Sequence, residues 1–139
     1  NSIKYLSILF IVLYISTSTV DSFVNHWEVH IVNTLPNDDI PLWYHCASGD
    51  HDFGYDILRV GQDFHFDFKV NYPWKTTLFF CHFWWGKKEN SFDVFSEGLM
   101  KHICSNVRDK IHSCFWKIQE DGFFAGPRLD KVKFMHLWF

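Results

Sequence analysis

Apolar residues recur at every second position in several segments of this chain. The clearest case is FHFDFKV, in which Phe64, Phe66 and Phe68 alternate with polar residues. Such a period of two is typical of a β-strand that buries one face and exposes the other. The same alternation runs through HWEVHIV at residues 26–32 and LWYHCA at residues 42–47. The pattern therefore predicts a protein built from strands.

Further strands and two hairpins are predicted downstream. TTLFFCHFWW, residues 76–85, is apolar nearly throughout, which favours a central strand covered on both sides. The polar block GKKENS, residues 86–91, then turns the chain into FDVF as a hairpin. A second hairpin joins CFWKIQ to FFA, with Asp121-Gly122 as its turn signal. The tail KVKFMHLW is expected to add a last strand.

The segment between the hairpins, residues 96–113, lacks the period-two pattern and is rich in Lys, Arg and His. It is expected to be a long loop that contains one helical turn and is held by Cys104. Short strands with turn signals at close intervals, without a long helix, predict an all-β fold. We expect a small antiparallel β-sandwich stabilised by two disulfides.

The N-terminal residues resemble a secretory signal peptide. Lys4 precedes an apolar run, residues 5–15, and a tail of Ser and Thr follows it. The run is shorter than the roughly 18 apolar residues that a bilayer span needs. We therefore predict a signal peptide at residues 1–22, cleaved after Ser22 or alternatively Ser18, and one secreted domain at residues 23–139. No membrane insertion is expected after cleavage.

Four cysteines, Cys46, Cys81, Cys104 and Cys114, lie in the predicted domain. An even count in a small exported domain indicates two disulfides, each worth about 2–4 kcal/mol. Three pairings are possible. We favour Cys46–Cys114 with Cys81–Cys104, because the second bridge would tie a strand to the loop that follows its hairpin.

The stretch YHCASGDHDFG, residues 44–54, holds two histidines, a thiol and two carboxylates. A zinc site there would need Cys46 reduced, which the disulfide interpretation argues against. We instead expect a turn in which Asp50 and Asp52 bond their own backbone. Gly54 should then adopt a positive φ.

No other motif predicts a metal site or a catalytic site. One strand face carries His26, Glu28 and His30. No further metal ligand can be identified from the sequence, so we expect this face to be solvated and to bind no metal. The chain carries no G-x-S-x-G, H-E-x-x-H, Walker or Rossmann motif. No catalytic residue, enzyme activity or cofactor is therefore predicted. The formal net charge of −3 disfavours nucleic acid as a partner.

Several short motifs occur in a familiar order, and they consist of cysteines, aromatic residues and turn formers. They are Val29, Ile31, Asn33 and Leu35; His45-Cys46-x-Ser48-x-Asp50-x-Asp52-x-Gly54; Leu58 and Gly61; Phe64, Phe66 and Phe68; Thr77-Leu78-Phe79-Phe80-Cys81-x-Phe83-x-Trp85; Phe92-Asp93-Val94-Phe95; Cys104; Cys114-x-Trp116; and Asp121-Gly122. Over residues 28–124 the chain resembles the plant self-incompatibility S-protein family, also called S-protein homologues. The resemblance implies a secreted β-sandwich that signals to a receptor protein at a cell surface, with rejection of self pollen as the founding role.

Specificity in such a ligand is expected to lie in its loops, because loops vary on a shared scaffold. The candidate receptor-binding residues come from residues 36–39, 86–91 and 98–112. They are Asn37, Asp38, Asp39, Lys87, Lys88, Glu89, Asn90, Lys101, Arg108 and Lys110. The alternative is a secreted carbohydrate-binding or defence-type module that uses Trp84 and Trp85 to stack on sugars. A monomer is expected, and the sequence leaves the receptor and the tissue open.

Overall fold

The computed structural model describes residues 2–11, 26–70, 77–105 and 112–139. Within these residues it contains nine strands. They are β1 (His26–Asn33), β2 (Leu42–Ser48), β3 (Asp52–Leu58), β4 (Asp63–Lys69), β5 (Phe79–Trp85), β6 (Lys88–Phe95), β7 (His112–Gln119), β8 (Gly122–Arg128) and β9 (Lys131–His136). A π-helical turn, Leu99–Ile103, lies between β6 and β7. It confirms the helical turn that the sequence predicted in this segment.

The strands form two sheets, which confirms the predicted β-sandwich. One sheet has five strands in the order β4-β1-β7-β8-β9, and the other has four in the order β3-β2-β5-β6. All neighbouring pairs are antiparallel except β1 and β7, which are parallel. A parallel pair needs a long crossover connection, and here the connection contains β4 and all four strands of the second sheet.

The core fills the space between the sheets with the apolar residues that alternate along each strand. Val29, Ile31 and Phe83 are all fully buried. Rings from opposite sheets meet directly, since the centroids of Phe83 and Phe123 lie 5.4 Å apart. The period-two pattern therefore correctly predicted which face of these strands points inward.

Two buried polar contacts join the sheets. Trp116 on β7 is 1% exposed, and its indole Nε1 donates a hydrogen bond of 2.8 Å to the Val94 carbonyl on β6. Asn33, at the end of β1, donates from Nδ2 to the Leu58 carbonyl at 2.7 Å. Its Oδ1 accepts the Leu35 backbone N–H at 2.9 Å. These bonds fix the position of one sheet against the other.

Two disulfides are present, as predicted, but the favoured pairing of their cysteines was wrong. Cys46 is bonded to Cys81, and Cys104 is bonded to Cys114. Cys46 and Cys81 are directly opposite residues of β2 and β5, with Cα atoms 4.1 Å apart. The second bridge joins the end of the π-helical turn to the start of β7, so each bridge links neighbours in the fold.

Strand β3 was not predicted, and the segment interpreted as a turn leads straight into it. The Asp52 part of the predicted turn is confirmed, because Asp52 Oδ1 accepts the Gly54 backbone N–H at 2.8 Å and Gly54 has a φ of +77°. In the turn before β3, Ser48 Oγ accepts the backbone N–H groups of Asp50 and His51. The predicted bond from Asp50 to its own backbone stays a prediction. β3 lies at an edge of its sheet. An edge strand with mixed exposure gives no clear alternation, and this is why its sequence DFGYDIL does not resemble a strand.

The C-terminal residues cross from one sheet to the other. β9 confirms the predicted last strand, but beyond it the chain joins β6. The backbone N–H of Phe139 donates to the Glu89 carbonyl at 3.0 Å, and the Glu89 N–H donates back to the Phe139 carbonyl at 2.9 Å. Asn90 Nδ2 donates to the Leu137 carbonyl at 2.7 Å. The tail therefore closes one edge of the sandwich.

Residues 2–11 form a helix whose side chains are exposed. Its large apolar residues, such as Ile3 at 74% and Phe10 at 65%, do not pack into the core. The predicted cleavage positions, Ser18 and Ser22, lie outside the described residues, so the signal peptide stays a prediction. Within the described ranges, no helix is both long and apolar enough to span a membrane.

Candidate functional site

Strand directions place the predicted recognition loops at opposite ends of the sandwich. Asn37, Asp38 and Asp39 lie between β1 and β2, at the end where the turn between β5 and β6 carries Lys87. Lys101 lies in the π-helical turn after β6, at the other end. The other two candidates, Arg108 and Lys110, fall outside the described residues. One flat partner surface could therefore contact the first two loops together, but not Lys101 as well.

Hydrogen bonds of the fold occupy several of these predicted residues. Asn37 Oδ1 accepts the Asp39 backbone N–H at 3.0 Å. Asp38 Oδ1 accepts the Val60 N–H at 2.8 Å, which ties its loop to the connection between β3 and β4. Lys101 forms an ion pair with Glu97 at 2.6 Å. These side chains therefore stabilise the conformation of their own loops.

The predicted loop at residues 86–91 is shorter in the structure. The turn consists of residues 86–87 alone, and Lys88, Glu89 and Asn90 belong to β6. Glu89 and Asn90 bind the C-terminal tail, as described above. The ammonium of Lys88 lies 5.5 Å from the ring centroid of Trp85. Of this predicted loop, Lys87 is the candidate that the turn itself presents.

The prediction that β5 is covered on both sides was wrong, because the outer face of its sheet is open. Four large aromatic residues lie on that face: Trp43, Tyr55, Phe80 and Trp84, called here the aromatic face. Trp43 is 43% exposed, Tyr55 67% and Phe80 40%. Outer faces of sandwiches are ordinarily polar, so a surface of this kind indicates a binding region.

Two histidines stack on two of the four rings of the aromatic face. His45 stacks on Tyr55 with ring centroids 4.2 Å apart, and His82 stacks on Trp84 at 3.9 Å. Tyr55 and Trp84 in turn lie 5.6 Å apart. The rings of Tyr55 and Trp84 should therefore need little rearrangement on binding.

Carboxylates fix the orientation of both histidines. His45 Nε2 lies 2.6 Å from Asp52 Oδ1, and His82 Nε2 lies 3.0 Å from Glu89 Oε2. The hydrogen bond from the Gly54 backbone N–H, followed by that from His45, holds the pKa of Asp52 below its ordinary value. Asp52 therefore remains a carboxylate partner for His45 well into the acidic range.

The alternation in LWYHCA had grouped Trp43 and His45 on one face of their strand, so part of this face could be predicted from the sequence. Trp84, in contrast, had been placed in a strand that was expected to be covered on both sides. Tyr55 was missed together with β3. Trp85, predicted beside Trp84 as a sugar-stacking residue, points the other way. Its ring packs against Trp138 of the C-terminal tail with centroids 5.7 Å apart.

A groove of about 580 Å³ opens between the edge strands β3 and β4. Its lining is mainly polar and includes Tyr44, Asp56, Arg59 and Gln62. Burial, and then the nearby charge of Asp56, raise the pKa of Tyr44 above its ordinary value. The Tyr44 hydroxyl thus stays protonated and can donate a hydrogen bond into the groove.

The outer face of the five-stranded sheet carries a histidine and carboxylate cluster at β1 and β4. His30 Nε2 lies 3.0 Å from Glu28 Oε2, and its Nδ1 lies 2.8 Å from Asp63 Oδ2. His65 Nδ1 lies 3.9 Å from Asp63 Oδ1. The sequence had grouped Glu28 and His30 on one face, and the fold adds Asp63 and His65 from the neighbouring strand.

His136 should make stability depend on pH. Its ring stacks on Phe92 with centroids 4.2 Å apart, and burial lowers its pKa below the ordinary value of 6.5, although Asp93 partly opposes this. The folded state therefore favours neutral His136. Its contribution is present in full above pH 6.5 and is lost as the pH falls through the lowered pKa.

We expect the free energy of unfolding of the His136→Gln variant to fall less on acidification than that of the wild type. Urea unfolding at pH 7.5, 6 and 5 measures this difference. The exposed His102, replaced in the same way, controls for loss of an imidazole. Equal slopes for wild type and His136→Gln would contradict the prediction.

Comparison with known proteins shows to which family this chain belongs. A family model described as plant self-incompatibility protein S1 matches residues 28–138. S-protein homolog 5 of Arabidopsis thaliana is 38% identical over 82 residues, which are 59% of this chain and 58% of that protein. S-protein homolog 18 of the same plant is 37% identical over 98 residues, which are 70% of this chain and 67% of that protein. S-protein homolog 3, also from this plant, is 32% identical over 124 residues, which are 83% of this chain and 77% of that protein.

The chain therefore belongs to the plant self-incompatibility S1 family, as its motifs predicted. This group of S-protein homologues is not known as a family of enzymes. The chain spans between 56% and 67% of the length of four such relatives.

Proposed function

We propose that this protein is secreted and acts as a non-enzymatic signalling ligand for a receptor protein at a plant cell surface. The observation that carries the proposal is the aromatic face on the four-stranded sheet. Exposed Trp and Tyr side chains supply much of the binding energy at protein interfaces, because they bury large areas with few rotatable bonds. The family's name supports self-incompatibility, the rejection of self pollen, as a process that such a ligand serves.

The aromatic face fits recognition better than catalysis. Tyr55 and Trp84 are held by stacking on histidines that pair with carboxylates, and the face is a broad open surface. Chemistry on a substrate ordinarily takes place in a concave site that excludes water. Binding of a partner followed by a change in the partner needs no such enclosure. The predicted loops, with Lys87 at one end of the sandwich, would add contacts at the border of the face.

Binding of the labelled protein to plant plasma-membrane vesicles tests the proposal. We expect saturable binding that Trp43→Ala or Trp84→Ala weakens at least tenfold, because truncating an interface aromatic typically removes about 2 kcal/mol. Phe134→Ala is the matched control, since Phe134 is a 50% exposed aromatic on β9 of the other sheet. Lys87→Ala measures the loop contribution in the same assay. Undiminished binding by both tryptophan variants would overturn the assignment to this face.

Carbohydrate binding is the second candidate, and the position of the Trp84 indole beside the polar groups of His82 and Glu89 favours it. A sugar ring can lie on an exposed indole while nearby polar groups bond its hydroxyls. Protease treatment of the vesicles would then leave binding intact, whereas removal of glycans would abolish it. Under this alternative, Trp84→Ala should eliminate binding to a glycan array. Trp85→Ala should have little effect, because Trp85 packs against the tail.

A further inference from the structure

We propose that His30, Asp63 and His65 form a binding site for a divalent transition-metal ion, with Zn²⁺ the best fit. The three side chains lie on the outer face of the five-stranded sheet, and their donor atoms are all within 4.8 Å of one another. Two imidazoles and one carboxylate are ligands that Zn²⁺ prefers, and three protein ligands leave a fourth position for water.

The register of β1 and β4 creates this arrangement. His30 and His65 are directly opposite residues of the two strands, and Asp63 lies two positions before His65 on the same face. In a tetrahedral zinc site with bonds of about 2.0–2.1 Å, the donor atoms lie about 3.3 Å apart. The distances from Asp63 oxygens to the two histidine Nδ1 atoms, 2.8 Å and 3.9 Å, bracket that value. Small side-chain rotations would therefore complete the site.

His30 is held ready as a ligand. Its ring lies between Phe115, with centroids 4.3 Å apart, and His65, at 5.2 Å. The side chain is 14% exposed. The ring nitrogen of His30 that points away from Asp63, Nε2, can donate its proton in a hydrogen bond to Glu28. The other ring nitrogen, Nδ1, is then unprotonated and can bind the ion. Histidines that bind metals usually donate their other N–H to a carboxylate in this way. Glu28 is therefore a positioning residue.

The same two strands supply an internal comparison. His26 and Asp67 lie further along this face, and His26 Nε2 is 3.5 Å from Asp67 Oδ2. That pair offers two ligands, whereas the His30 site offers three that converge. A metal site should therefore depend on His65 and not on His26, although both are histidines on one sheet face.

Calorimetric titration of the disulfide-intact full chain with Zn²⁺ tests the proposal. We expect one ion per chain in the wild type. Binding should weaken at least tenfold in His30→Ala and His65→Ala and stay unchanged in His26→Ala. Glu28→Gln should weaken binding by about 10–100-fold with the stoichiometry kept, as expected for a residue that orients a ligand.

Histidine ring signals in NMR spectra provide a second measurement on the wild-type chain, so that a variant that fails to fold leaves the proposal testable. Adding Zn²⁺ should shift the signals of His30 and His65 first. Absence of binding, or equal losses in His65→Ala and His26→Ala, would overturn the site. Because the aromatic face lies on the other sheet, this result is independent of the vesicle experiment.

Discussion

Replacing both Cys46 and Cys81 with alanine is expected to lower the free energy of unfolding by about 4 kcal/mol. The bridge closes a loop of 35 residues between two neighbouring central strands. Opening it restores chain entropy to the unfolded state, and the entropy gained grows with loop length. Both cysteines are fully buried, so alanine is the suitable replacement, because serine would bury a hydroxyl without a partner. Urea unfolding without reducing agent measures the change.

The pair Cys104 and Cys114 provides the matched comparison. Their bridge closes a loop of 10 residues, and its removal should cost about 3 kcal/mol by the same entropy relation. The two loops do not overlap in the chain, so the losses should be roughly additive in a variant without disulfides. A larger loss for the shorter loop, or a loss below about 1 kcal/mol for Cys46 and Cys81, would contradict this account.

The sequence predicted most of this fold because its strands have one buried and one open face. FHFDFKV and HWEVHIV alternate cleanly, so their position and their inward faces followed directly. β3 was not predicted because it is an edge strand whose residues are exposed or half-exposed, apart from the last one. The parallel pairing of β1 with β7 also escaped, since it depends on how the two sheets stack and not on any local pattern. The disulfide pairing was wrong for the same reason, because it follows from which strands become neighbours.

The candidate surfaces were predictable in part. Trp84 was singled out from the sequence, but an apolar run cannot distinguish a covered strand from one that exposes aromatic rings. Glu28 and His30 were grouped correctly, whereas Asp63 and His65 joined them only through the register of β1 with β4. Residues within one strand can be assigned to a face from the sequence. Clusters that span two strands require the pairing.

Replacing Trp116 with alanine is expected to lower the free energy of unfolding by about 3–5 kcal/mol, the usual cost of removing a large buried aromatic side chain. Trp116 is 1% exposed and packs against Phe92 of the opposite sheet with ring centroids 5.0 Å apart. The change also removes the hydrogen bond to the Val94 carbonyl, which would be left buried without that donor. The buried ring and its hydrogen bond both connect the two sheets. We therefore expect the variant to unfold cooperatively, as the wild type does, but at a lower urea concentration.

Two further variants separate the causes of this loss. Trp116→Phe keeps most of the ring but lacks the indole N–H, and it should cost about 1–3 kcal/mol for the unsatisfied carbonyl. Trp84→Ala removes the same type of side chain from the aromatic face, and we expect it to stay within about 1 kcal/mol of the wild type. If Trp84→Ala were as destabilising as Trp116→Ala, the aromatic face would be part of the structural core. Its exposed rings would then have to be explained by folding and not by recognition.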